Sequence, residues 1–282
     1  MALNNTGDAR AEDYALGRGR LFFGQLDADG RTVTGGLRFL GNATEFNVNL
    51  NTETAAHQAS YTQLRQTDAR CTLSLELGVS FVLDELNFQN YADFFIGETA
   101  SLTNATGSIA THVLTTAAVG GRWYPIHNSA GARLYNLDDD TIVFNLEING
   151  GADLVEGTDY EIDKQMGLVK IFETPGTVGV IGAQIDVDVT TAAASGLSLD
   201  KVNAATRSDV KGVLLFESLD GCDSDKKRVF NFRRVSLTPD GDHALIGDDF
   251  ASMSFSGVAE VNSAFSAAEG RTLEIVNVDA LA

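Results

Sequence analysis

Residues 43–51, ATEFNVNLN, alternate without a break: Phe46, Val48 and Leu50 fall on one side of an extended chain, and Glu45, Asn47, Asn49 and Asn51 on the other. A period of two predicts a strand with one dry and one wet face. The pattern returns in CTLSLELGVSF, residues 71–81, where Leu73, Leu75 and Leu77 oppose Thr72, Ser74 and Glu76. Two such strands are expected to pair antiparallel. With 28 glycines and only three prolines, Pro125, Pro175 and Pro239, turns recur throughout, and the chain reads as mainly β.

Working outward, RLFFGQL (20–26) reads as a strand, DADG (27–30) as a tight turn and RTVTGGLRFLG (31–41) as a second strand. Near the other end, VKGVLLFES (210–218), KRVFNFRRVSL (227–237) and ASMSFSGVAEVN (251–262) read as three more strands. In the last, Met253 and Phe255 alternate with Ser252, Ser254 and Ser256. GRTLEIVNVDALA (270–282) could add an edge strand or reach a neighbouring molecule. Between these groups, RWYPI, ARLYNL, TIVFNLEING, DYEID, GLVKIFE and GVIGAQIDVDVT suggest an inserted β-rich module over 120–190. It would divide the chain into 1–119, 120–190 and 191–282, with 98–118 and 191–209 as connectors.

Two segments break the β pattern. NTETAAHQASYTQLRQTDAR, residues 51–70, shows no apolar periodicity and reads as a long interaction loop. Ordering twenty residues costs on the order of 20 kcal/mol of backbone entropy, so the loop is expected to order only against a neighbour. LDELNFQNYADFFIGE predicts a helix over about 84–97, with Asp84 as N-cap, Gly97 as terminator and Phe88, Tyr91, Phe94 and Phe95 facing a core. Burying four such side chains is worth roughly 6 to 12 kcal/mol before entropy is subtracted.

The composition bounds the function. A length of 282 residues with 44% hydrophobic residues suffices for a sizeable core. The 39 acids against 20 bases give a formal net charge of −19, which argues against sequence-independent binding to nucleic acid. No apolar run approaches the roughly 18 residues of a membrane span, and the N-terminus lacks a signal peptide's basic start and apolar centre, so a cytosolic protein is expected. Cys71 and Cys222 stand far apart in no metal-ligand spacing and read as buried or half-buried thiols. His57, His112, His127 and His243 are scattered, and no zinc, nucleophile-elbow or phosphate-loop motif is present. The acidic turns NLDDDT, DADG and PDGDH lack the full calcium-loop pattern and have a sufficient explanation as turn residues. No catalytic group, metal or cofactor is expected.

The order of these features resembles the major tail protein, or tail tube protein, of long-tailed bacteriophages. The segments that carry the resemblance are YALGRGRLFFGQLDADGRTVTGGLRFLGNATEFNVNLNTETAAHQAS, CTLSLELGVSFVLDELNFQNYADFFIGE, SDVKGVLLFES, KRVFNFRRVSLTPDGDHALIG and MSFSGVAEV. They span about residues 14–100 and 208–262, and the likeness lies in the succession of strand, glycine-asparagine turn, polar loop and aromatic helix. Residues 120–190 match less clearly, and their role stays open. The resemblance implies a β-sandwich with a flanking helix, assembled into hexameric rings whose inner strands join in one barrel. Stacked rings would form a tube in the virion, built in the host cytoplasm. The partners it implies are further copies of the chain, a tape-measure protein, a tail terminator and baseplate or distal tail proteins. Members of that family are not enzymes; they enclose the channel through which the genome leaves.

A channel for DNA should not hold its cargo, and carboxylates with small hydrogen-bonding groups meet that need. Glu45, Asn47, Asn49, Thr72, Ser74, Glu76, Ser252, Ser254 and Ser256 are therefore the expected lumen-facing set, on a surface expected to be poor in lysine and arginine. The same alternation would also suit an ordinary solvent-facing sheet. Within 51–70, the resemblance makes Glu53, His57, Tyr61 and Arg65 candidates for ring-to-ring stacking, and Arg18 and Arg20 candidates for ion pairs with a neighbouring subunit. A competing reading is a carbohydrate- or receptor-binding module displaying Trp123, Tyr124 and Tyr135. A third, an acidic hydrolase, would require clustered carboxylates with perturbed pKa values.

Overall fold

A computed structural model of the chain describes residues 17–61, 64–103, 107–127, 131–137, 142–191, 198–219 and 226–279. The chain divides into two compact units, Met1–Ala100 with Lys201–Ala282, and Ser101–Asp200. In chain order, the first unit opens with β1 (Gly19–Gln25), β2 (Arg38–Phe39), β3 (Ala43–Ala59), β4 (Gln66–Leu83) and the helix α1 (Phe88–Phe94). Then come β5 (Glu98–Thr103), β6 (Gly107–Thr115), β7 (Trp123–Pro125), β8 (Ile142–Ile148), β9 (Ala152–Asp153), β10 (Tyr160–Asp163), β11 (Leu168–Ile171) and β12 (Ile185–Thr191). The chain closes with β13 (Ser198–Asn203), β14 (Val210–Ser218), β15 (Lys226–Pro239), β16 (Met253–Ala259) and β17 (Leu273–Asp279). The protein is mainly β, as its alternation predicts.

The first unit is built on one antiparallel sheet in the order β2-β1-β14-β15-β16-β4-β3, with β17 added to β15. β15 pairs β17 through Lys226–Phe232 and β16 through Val235–Pro239, and its register with β14 shifts between these halves. Such an irregularity bends a strand. The sheet thereby folds over on itself, and Phe46 of β3 meets Phe216 of β14 with ring centroids 4.9 Å apart. Leu21, Phe23, Val79, Phe81, Leu83, Leu214, Phe232, Val235, Leu237, Met253 and Phe255 fill the space between. Gly212 permits this closure, because a Cβ there would collide with the Gly24 carbonyl and the Phe23 ring. The strand expected over 31–41 contracts to the Leu26–Val33 bridge and β2, since Gly35 and Gly36 both take positive φ.

The helix is shorter than its sequence suggests. Asn87, not Asp84, is the N-cap, its side chain accepting from the Asn90 N–H at 2.8 Å. Asp84 instead takes the Asn42 amide at 2.8 Å, which fastens the end of β4 to the start of β3. Of the expected aromatic stripe only Phe94 is buried; Phe88 and Phe95 are exposed and Tyr91 is half-buried. Polar anchors replace them. Buried Asn90 donates to the Leu40 and Glu85 carbonyls, Arg38 donates to Asn90 and pairs with Asp93, and Arg207 reaches Asp93 at 2.8 Å.

The second unit begins at Ser101, earlier than the expected 120, because 107–115 is strand β6. β6, β12, β8 and β9 form one sheet, and β10, β11 and β7 another. Ile126, Leu146, Val169, Ile171, Val180 and Ile185 are at the centre of its own core. Asp159, fully buried, accepts from the Val155 N–H at 2.9 Å, the Thr177 N–H at 2.7 Å and the Thr177 hydroxyl at 2.9 Å. Burial alone would raise its pKa, but these bonds together hold the carboxyl below the usual range. The neighbouring Tyr160 phenol is pushed up to about 12 by burial and by the charges of Glu156 and Asp159.

The segments expected as connectors are strands: 98–118 carries β5 and β6, and 191–209 carries β13, which pairs with β5. Small polar residues such as threonine and serine are compatible with strands whose side chains need no deep core. ARLYNL, expected as a strand, holds only the His127–Arg133 bridge. No helix among the described residues is long and apolar enough to cross a membrane.

Candidate functional site

The stretch 51–70 is no loop: β3 runs to Ala59 and β4 starts at Gln66, so its ends are paired in one long hairpin. Its lack of apolar periodicity reflects exposure on both sides, with Ala59 the one buried side chain among its described residues. Backbone pairing needs no alternation where neither face meets a core. β16 pairs β4 only from Leu77 to Leu83, so beyond Leu50 and Leu77 the hairpin has no third strand. On one face of this two-stranded ribbon lie Leu50, 62% exposed, and Leu75, 68% exposed. The adjoining Val79, where β16 is present, is buried.

The opposite face is mostly polar, interrupted by Val82 and Val258. Cross-strand partners share a face, and the register aligns Glu45 with Val82 and Ser254, Asn47 with Ser80 and Ser256, and Asn49 with Gly78 and Val258. Asn51 then stands opposite Glu76, and Glu53 opposite Ser74, whose hydroxyl donates to it at 3.2 Å. Gly78 has a spatial role here, because the Asn49 side chain lies where a Cβ would project.

Seven of the nine expected residues thus share one surface: Glu45, Asn47, Asn49, Ser74, Glu76, Ser254 and Ser256. Thr72 does not. A register shift after Glu53 sets Thr72 opposite Thr54, which alternation places on the other face. Ser252 precedes β16 and offers its carbonyl to His243 Nδ1 at 2.9 Å. Sequence reading missed Ser80, Ser236 and Thr238, which extend the surface; the Thr238 and Ser256 hydroxyls lie 3.1 Å apart. Their signal was present in β15 as alternation of Val235 and Leu237 with Ser236 and Thr238. The surface is also not free of bases: Lys211 aligns with Ser236, and Arg234 adjoins it. Both are held by Glu260, Arg234 at 2.9 Å and Lys211 at 3.7 Å, and Lys211 also reaches Asp209 at 3.1 Å.

Of the expected stacking residues, Glu53 and His57 sit on β3, and His57 pairs with Asp68 at 2.6 Å across the hairpin. Tyr61 and Arg65 are exposed at its tip. Arg18 and Arg20 are exposed at the start of β1, without an ion pair to another described residue. Cys71, expected to be at least half-buried, is exposed on the hairpin; Cys222 lies outside the described residues. Among the described residues no three His, Cys, Asp or Glu side chains gather as a metal site would require. NLDDDT falls mainly outside them, while in DADG the Asp29 carboxylate accepts from the Arg31 and Thr32 N–H groups at 2.9 and 2.8 Å. Its pKa is lowered by the Thr32 hydroxyl and these N–H groups, as in a turn.

The aromatic residues of the second unit do not build a platform. Trp123 and Tyr124 are successive strand residues and point to opposite faces. The Tyr124 hydroxyl bonds the Val119 backbone, Tyr135 lies under Arg133, and Lys170 covers the Trp123 ring at 5.5 Å.

The family described as "Protein of unknown function UCP028589" matches residues 14–270. The chain belongs to this family. No curated protein matches it. The match runs through both units of this UCP028589 member, so the polar surface, the hairpin and the second unit all lie within the family's extent.

Proposed function

We propose that this UCP028589 chain is a structural, non-enzymatic virion protein, the subunit of a phage tail tube of stacked rings, hexameric by the resemblance. In this reading the folded-over sheet of the first unit is the tail-tube β-sandwich, α1 is its flanking helix, and the face from Glu45 to Ser256 lines the lumen. The observation that carries the proposal is the amphipathic β3–β4 ribbon. A two-stranded hairpin by itself is at best marginally stable in water, and Leu50 and Leu75 find no cover among the described residues. A neighbouring copy would cover them and leave the opposite, acidic and hydroxylic face turned toward the cargo. Glu45, Glu53 and Glu76 would repel a polyanion, while Asn47, Asn49, Ser74, Ser254 and Ser256 keep water on the wall. DNA would pass without specific binding, and no membrane or cofactor is needed. The tape-measure, terminator and distal tail proteins would meet the two open ends of the tube.

Electron microscopy of the purified protein at high concentration, or of the particle that carries it, tests the proposal. Hollow rods or rings with this chain in their wall are the expected result. A protein that stays monomeric at every concentration and is absent from virions would overturn it.

A further inference from the structure

Between β15 and β16 the chain makes a loop whose base is fixed and whose tip is bare. His243 donates to the Ser252 carbonyl at 2.9 Å and packs its ring against Tyr91 and Phe94, at 5.5 and 5.9 Å. Beyond that anchor, Leu245 is 79% exposed and Ile246 and Phe250 are each 97% exposed, with Asp248 and Asp249 between them. Three large apolar side chains held in water beside two carboxylates need a complementary surface.

The same unit carries one. A groove of about 590 Å³ runs between the start of β1 and the start of β3, floored by Leu21, Phe46, Val48, Phe216 and Phe230. Arg18 stands in its wall. Arg228, two residues before Phe230 on a regular strand, faces the same side and is exposed. Neither arginine has an ion pair with another described residue; Glu45 is the acid in the groove wall. Apolar rings flanked by two unpaired cations match, in chemistry and in sign, a loop that offers apolar tips flanked by two anions. Among the described residues the loop tip stands in solvent and none occupies the groove.

We propose that the 244–250 loop of one copy docks in the Arg18–Arg228 groove of the next. The two halves are different surfaces of one chain, so the contact is heterologous and propagates from copy to copy. It rests on the self-assembly in the function proposed above, and adds to it a specific junction with a specific charge pattern.

A labelled peptide of residues 243–252, titrated against the full chain by fluorescence anisotropy, tests the junction. Binding to the wild type is expected, weakened by about tenfold or more in R18E/R228E, whose substitutions are at exposed positions. A peptide with Asp248 and Asp249 changed to lysine should show the reverse preference. No binding at millimolar peptide, or equal binding to both proteins, would overturn the proposal. Microscopy of the same preparations separates the two claims: rods without peptide binding remove the junction alone, and peptide binding without rods removes the tube alone.

Discussion

Phe46 and Phe216 touch across the first unit, 4.9 Å apart, although β15, β16 and β4 lie between their strands along the sheet. The contact closes the sheet over its core. Phe46 also meets Phe232 edge-on at 6.1 Å, so one side chain holds the edge strand β3 against two central strands. Phe46→Ala should therefore destabilise this unit by about 2 to 4 kcal/mol, reaching below the usual range for truncating a buried phenylalanine because the ring is half-buried. The single tryptophan, Trp123, belongs to the other unit, so its fluorescence reports that unit. Urea unfolding of F46A should shift the circular dichroism transition and leave the tryptophan transition in place.

Asp159 provides the complementary probe. Its carboxyl is held below the ordinary value of about 4, so the unfolded chain takes up its proton first as pH falls. The stabilisation is complete above that value and is lost as pH drops through the lower, folded pKa. Asp159→Asn should cost about 1 to 3 kcal/mol at pH 7, since buried donors from Val155 and Thr177 lose their charged acceptor. The tryptophan-detected midpoint of D159N should fall at pH 7, and the gap to wild type should narrow below pH 4. An unchanged gap across that range would count against the assignment.

How much of this was legible in the sequence follows from what each segment buries. β3, β4 and β16 announce themselves through alternation, since each has one face on the core. The distal hairpin, residues 51–59 and 66–72, is silent because its pairing is backbone to backbone and, apart from Ala59, its side chains are not buried. Asp84 looked like a cap because cap chemistry is local, whereas its use by Asn42 depends on a residue 42 positions away. Thr72 left the polar surface through a register shift that periodicity cannot reveal. The serines and asparagines of that surface were readable because they occupy every second position on strands that prove to be neighbours.

The hairpin can be removed without touching the core. Asn51 and Glu76 are cross-strand partners, and joining them by Asn-Gly in place of 52–75 builds a two-residue turn at a natural register. Val79, Phe81 and Leu83 remain where β16 supports them. The shortened protein should keep both unfolding transitions within about 1 kcal/mol of wild type, because the excised side chains are almost all exposed. It should form no long rods by electron microscopy. Rods of normal length from this variant would show that the ribbon is not the element that joins subunits.

Charge on the polar face decides whether a tube conducts or captures DNA. Glu45, Glu53 and Glu76 are exposed side chains on paired strands, so E45K/E53K/E76K should fold and assemble as the wild type does. The three substitutions change the face by six charges per subunit, since each replaces −1 with +1. Rods of the variant should retain double-stranded DNA at low ionic strength and release it as salt rises, the signature of phosphate contacts. Wild-type rods should retain none at any salt concentration. Equal retention by both would place these carboxylates on the outside of the assembly, where reversing them cannot reach the cargo.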